Sequence, residues 1–195
     1  MKTQADGFKR LLEVLDLLEI RYQVVGSLAS SMHGIPCATM DGDLAVNLRA
    51  DQVEEFAAKL KADFYADPEM IKEALARRRS FNLIHYSSAF KFDIFPLLDD
   101  NYSQTQFNRR QFAETTSLGD PIKCAVATAE DTVLNKLRCY RVGGDTSERQ
   151  WNDLRGILQV SGSRLDLAYL NTWAPQLGVA DLLERLLHEG TPPRH

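Results

Sequence analysis

The segment from Tyr22 to Leu48, YQVVGSLASSMHGIPCATMDGDLAVNL, restricts the fold more than any other part of the chain. A short β-rich run, Tyr22 to Val25, meets Gly26-Ser27, where the backbone can turn tightly. Leu28 to His33 can form a helix, which Gly34 and Pro36 end. A gap of 13 residues separates Ser27 from Asp41. Asp41-Gly42-Asp43 then leads into a strand in which Leu44, Val46 and Leu48 alternate with Ala45 and Asn47. Strand, turn, helix and strand in that order point to a layered α/β arrangement.

Strand side chains alternate faces, so Asp41 and Asp43 point the same way if the strand begins at Asp41, opposite to Leu44 and Val46. The same rule applied to Phe90-Lys91-Phe92-Asp93-Ile94-Phe95 puts Phe90, Phe92 and Ile94 on one face. Lys91, Asp93 and Phe95 share the other. If the two strands are neighbours, three carboxylates converge. Carboxylates that close repel, and divalent cations relieve the repulsion. Mg²⁺ takes hard oxygen ligands, commonly one or two carboxylates plus substrate phosphates. Gly26-Ser27 supplies a complement, since free backbone N–H groups at a helix start favour anions. Each piece alone has a plainer reading: Gly-Ser as a simple turn, Asp-Gly as a turn dipeptide, Asp93 as a solvated residue. Lys91 either neutralises a phosphate or pairs locally.

The rest of the chain divides into a strand-bearing part and a helical part. Phe8, Leu11, Leu12, Leu15 and Leu18 predict a helix near 6–20. Asp51-x-x-Glu54 resembles a capping box, and Asp67-Pro68 a cap with a first-turn proline. Phe81 to His85 and Phe90 to Phe95 read as a hairpin. Residues 99–119, rich in Asn, Gln, Thr and Arg, show no regular pattern. Beyond them, Thr128-x-x-Asp131 and Ser147-x-x-Gln150 start helices, with further helices over 165–173 and 179–187 and a frayed TPPRH tail. The expected division is an α/β core over 1–125 and a helical region over 126–195 packed on it.

Charge and cysteine usage narrow the functional classes. With 23 basic and 27 acidic residues the net charge is −4, which argues against indiscriminate nucleic-acid binding. Arg77 to Arg79 and Arg109-Arg110 either hold an RNA backbone or form solvated helix ends. Cys37, Cys124 and Cys139 are odd in number and make no C-x-x-C, which fits a reducing cytoplasm. His33, His85, His188 and His195 are scattered without metal spacing. MKTQADGFKR has no apolar leader region and no stretch is long enough to span a bilayer, so a cytoplasmic protein without membrane contact is expected.

The order apolar strand, Gly-Ser, D-x-D, apolar strand and later a lone Asp closely resembles nucleotidyltransferases of the polymerase-beta type. YQVVGSLASSMHG, FNLIH, FKFDIFP, EDTVLNKLRCYRVGG and SERQWNDLRGIL extend the likeness to bacterial proteins near the abortive-infection (AbiEii-like) toxin nucleotidyltransferases. The resemblance implies an α/β (α+β) nucleotidyltransferase-like mixed sheet flanked by helices, with a C-terminal helical region. It implies that Gly26 and Ser27 bind the triphosphate, that Asp41, Asp43 and Asp93 hold two Mg²⁺ (or Mn²⁺) ions, and that Lys136 and Asp153 join the site. Arg149 and Asp153 are also four apart and can simply pair. The chain departs from the family at Cys37, where relatives often carry a basic residue. It departs again at Gly42, where they carry an apolar one and where glycine is expected to loosen the strand. The implied activity is Mg²⁺-dependent transfer of an NMP from an NTP to a hydroxyl of RNA (tRNA), protein or a small molecule, with a cognate antitoxin as a further partner. The alternative is a catalytically weak nucleotide-binding or toxin–antitoxin module of the same fold.

Overall fold

In the computed structural model, which describes residues 2–39 and 41–189, nine helices and one seven-stranded sheet are present among the described residues. The TPPRH tail, with His195, lies outside them. Helix α1 (Gln4–Leu17) is capped by Thr3 and buries Phe8, Leu11, Leu12 and Leu15, the stripe its spacing predicts. Strand β1 (Tyr22–Val24) runs into α2 (Gly26–His33), and β2 (Asp41–Val46) returns antiparallel to β1. Helices α3 (Val53–Leu60) and α4 (Pro68–Ala76) flank the short β3 (Phe64–Tyr65). The hairpin is β4 (Phe81–His85) and β5 (Lys91–Pro96).

Helix α5 (Asn101–Arg109), β6 (Gln111–Thr115) and β7 (Ile122–Val126) follow. Helices α6 (Ala129–Val142), α7 (Glu148–Ser161), α8 (Leu167–Gln176) and α9 (Ala180–Glu189) complete the chain. The sheet order is β3-β4-β5-β2-β1-β7-β6. The β2–β5 and β1–β7 pairs are parallel and the others antiparallel, so the sheet is mixed.

Two buried clusters organise the packing. One joins α1, α3 and α4 to one face of the sheet, with Phe8 stacked on Phe92 at 5.8 Å and Phe64 edge-on to the same ring. The other is helical, built from α6 to α9 around Leu134, Leu137, Trp151 and Trp173, with Tyr102 of α5. Among the described residues no helix is long and apolar enough to cross a membrane.

Several expectations are corrected. Residues 99–119 are not irregular: Asp100 caps α5 through Ser103 N–H, and β6 pairs with β7. Polar composition hid an edge strand and a helix whose few apolar residues, Tyr102 and Phe107, are buried. Asp51 does not cap α3; it pairs with Arg49, while Gln52 reaches back to the Arg49 N–H. Arg109 is not solvated but folds inward against Glu130 and the Tyr169 ring, and Arg110 lies over Phe107.

Candidate active site

The parallel register of β2 with β5 sets the geometry. Asp43 stands directly opposite Asp93, and Asp41 opposite Lys91. Buried Gly42, Leu44 and Val46 alternate with the half-buried Asp41, Asp43 and Ala45, so both acids of the D-x-D lie on the face away from the α1–α3–α4 core. Lys91 and Asp93 share that face, joined by an ion pair of 2.8 Å. The strand is continuous through Gly42, contrary to the expected loosening. A Cβ at Gly42 would stand 2.8 Å from the Phe92 ring, so the missing side chain is what lets that ring seat under the carboxylates.

Gly26 completes the arrangement from β1. Its φ of +61° is a left-handed turn that favours glycine. A Cβ there would collide with Asp43 Oδ2. The Val25 N–H donates to the Asp43 carbonyl at 2.9 Å, and the Ser27 N–H is directed at the Asp43 carboxylate. Burial first, and then the charges of Asp41 and Asp93, push the Asp43 carboxyl up to about 6. The Ser27 N–H and the Lys136 charge work against that rise. Lys91 is raised as well, chiefly by its hydrogen bond to Asp93, which favours its charged form.

Lys136 and Asp153 come to this place from α6 and α7. Lys136 is 5% exposed, and its Nζ donates to Asp153 Oδ2 at 2.7 Å and to Gln150 Oε1 at 3.3 Å. Asp153 therefore pairs with Lys136 and not with Arg149. The Cys37 thiol approaches the other carboxylate oxygen at 3.8 Å. Helix α7 backs onto the end of α2, where a Cβ at Gly34 would meet Ile157 N at 2.7 Å. Ser161 Oγ donates to the His33 carbonyl at 2.6 Å. Close glycine contact thus fixes the helical wall beside Gly26 and Ser27.

Among the described residues no three carboxylate, imidazole or thiol groups stand close enough together to hold an ion as they are placed. Asp93 is turned to Lys91, and Asp41 Oδ1 lies 3.4 Å from Thr39 Oγ1. The donor chemistry still fits a hard divalent ion: three oxygen donors on one face, two directly opposed, with a repulsion that raises Asp43.

Sequence reasoning passed over Gln150, Asn82 and Gln23. Asn82 lies opposite Asp93 on β4, and the polar position in Phe81-Asn82-Leu83-Ile84 was its signal. Gln23 sits opposite Ala45, on the carboxylate face, fully buried, with no hydrogen-bond partner for either amide atom. Its apolar neighbours gave it no distinguishing signal.

No protein-family profile matches the sequence, and no curated protein matches it. Solved structures match over most of the chain. The antibiotic-resistance factor ANT(2'')-Ia in solution is similar at TM-score 0.54 and 13% identity, covering 95% of this chain and 97% of that one. The lincosamide antibiotic adenylyltransferase LnuA, lincomycin-bound, is similar at TM-score 0.50 and 14% identity, covering 82% of this chain and 99% of that one. The chain has a nucleotidyltransferase-like α/β fold.

Proposed function

We propose that the chain is a Mg²⁺-dependent nucleotidyltransferase that moves an NMP from an NTP to an acceptor hydroxyl. The observation that carries this reading is the β2–β5 register, which opposes Asp43 to Asp93 beside the turn at Gly26. In this reading Gly26 and Ser27 present backbone N–H groups to the triphosphate at the start of α2. Asp41, Asp43 and Asp93 hold the metal, two Mg²⁺ ions with Mn²⁺ as a substitute. When bound, the ions neutralise the phosphates and template an in-line displacement. Asp93 also takes part in deprotonating the attacking hydroxyl. Lys136, aimed by Asp153 and Gln150, and Lys91 supply positive charge to the phosphates. Positioning and charge neutralisation carry the rate, with no covalent intermediate.

The α/β core of 1–125 provides the carboxylates, and the helical region from 126 onward provides the wall with Lys136. The similar structures include an adenylyltransferase and ANT(2'')-Ia with adenylyl-2''-tobramycin, which fits an adenylyl donor. The free thiols of Cys37, Cys124 and Cys139 fit a reducing cytoplasm. This reading admits a tRNA, a protein or a small molecule as acceptor, and a cognate antitoxin as a further partner. One observation favours the weaker reading of a binding module without turnover: among the described residues no three carboxylate, imidazole or thiol groups are close enough to hold an ion as placed.

Thermal stability with each NTP, with and without Mg²⁺, separates the two. The enzyme reading expects metal-dependent stabilisation that Asp41→Asn abolishes, followed by label transfer from the NTP. Stabilisation without transfer to any acceptor selects the binding module, and no response to any NTP removes both.

A further inference from the structure

The carboxylate face is closed on one side and open on the other. Toward β1 it meets α2 and the Lys136–Asp153 wall. Toward β4 and β3 the side chains stay in solvent, although the reverse of these strands is packed against α1, α3 and α4.

Register shows what that open side presents. Tyr65 pairs with Ile84, and Ile84 with Lys91, while Asn82 pairs with Asp93. Phe95 follows Asp93 by one repeat on the same face. Tyr65 is 48% exposed, Ile84 40% and Phe95 41%. Two apolar shoulders, Tyr65–Ile84 and Phe95, therefore flank one polar slot made of Asn82 and Asp93. By strand spacing the shoulders are about 14 Å apart, which leaves room for a ring between them.

We propose that this open face is the acceptor floor, and that the acceptor is an uncharged ring-bearing alcohol, such as a glycoside, whose flat hydrocarbon face rests on the shoulders. The assignment deepens the nucleotidyltransferase reading and rests on it. Charge argues against a nucleic-acid acceptor. A polyanionic strand needs cations beneath it. Among the described residues, Lys91 is the cation that strands β2 to β5 place on this face, and Asp93 holds it at 2.8 Å. Arg77 to Arg79 fall before β4 begins, and Arg77 pairs with Glu73 at 2.9 Å. Aromatic and aliphatic surface around a few convergent polar groups suits a neutral ring with hydroxyls. Asn82 can donate to or accept from such a hydroxyl next to Asp93. The hydroxyl oxygen then bonds to the α-phosphorus of the NTP and the bond to the bridging oxygen breaks. Pyrophosphate leaves with the electron pair, and the hydroxyl proton passes through Asp93 to water.

The full chain is incubated with labelled NTPs and Mg²⁺ and three acceptor sets: methyl and phenyl glycosides, single-stranded RNA oligonucleotides, and Ser/Tyr-bearing peptides. Transfer to a glycoside is expected. Ile84→Ser raises the glycoside KM about tenfold and leaves kcat and the NTP–Mg²⁺ thermal shift unchanged. Asn82→Ala lowers kcat with the thermal shift again intact. Transfer to RNA or peptide alone overturns the proposal, as does glycoside transfer that Ile84→Ser and Tyr65→Ala leave untouched. An NTP–Mg²⁺ thermal shift without glycoside transfer also overturns it while sparing the nucleotide reading. Loss of that shift in the unaltered chain overturns both.

Discussion

Two buried aspartates, Asp43 and Asp131, show how differently one residue type is used in this molecule. Asp131, fully buried at the start of α6, accepts from Thr128 Oγ1 at 2.8 Å and Tyr169 Oη at 2.7 Å. Arg109 approaches it at 3.5 Å. That carboxylate ties α5, α6 and α8 together through two hydroxyl donors and a guanidinium. Asp43 faces two more acids, and the Ser27 N–H and the more distant Lys136 charge answer it only in part. Burial raises both groups. In the helical region two hydroxyls and Arg109 offset part of that cost, though Asp131 stays raised, whereas at the sheet more of the compensation is left to a ligand. An acid with partners indicates a structural tie; an acid against acids indicates a binding site.

Unfolding stability separates the two aspartates most sharply. Asp131→Ala removes the acceptor of the Thr128 and Tyr169 hydroxyls and the charge beside Arg109, which keeps Glu130, and a loss of about 3 kcal/mol in urea unfolding is expected. A loss below about 1 kcal/mol would mean that Asp131 is not a tie. Asp43→Asn has the opposite sign. The carboxyl at about 6 against an ordinary 3.8 means that the folded state binds its proton more tightly. Its stabilising contribution is present below pH 4 and is lost as pH rises through 6. In chelated buffer at pH 8, Asp43→Asn should therefore be more stable than the parent by roughly 2 kcal/mol, with the gain vanishing near pH 4. It should also fail to transfer a nucleotide. Equal stability at pH 8 would show that neither burial nor the neighbouring acids disfavour the Asp43 charge.

How much of this was legible follows from which constraints are local. The D-x-D face, the lone Asp93 and the turn at Gly26 follow from strand alternation and glycine chemistry, and the register places them as alternation requires. Lys136 and Asp153 were reached through resemblance. Their pairing depends on α7 lying against α2 at Gly34, a contact between residues over a hundred positions apart. Gly42 was misjudged because propensity counts a missing side chain as a loss. Here the Phe92 ring of the neighbouring strand occupies the vacated space. The helix and strand within 99–119 were missed because few of their residues enter a core, leaving little apolar period to read.

Gln23 tests the comparison most finely, because it lies on the carboxylate face yet is as buried as Asp131. Both amide atoms lack a hydrogen-bond partner, and its strand neighbour Ala45 is too small to provide one. A buried unpaired amide costs about 1–3 kcal/mol, and methionine keeps nearly the same length and volume. If Gln23 belongs to the structural part of the sheet, Gln23→Met raises stability by about 1 kcal/mol in urea unfolding and leaves the NTP–Mg²⁺ thermal shift alone. A fall in stability would mean that a buried water satisfies the amide. A reduced nucleotide shift at unchanged stability would move the boundary of the binding site one strand residue past Asp43. Of these outcomes the expected one is the stability gain, because the closed wall of α2, α6 and α7 stands between the acids and solvent on that side.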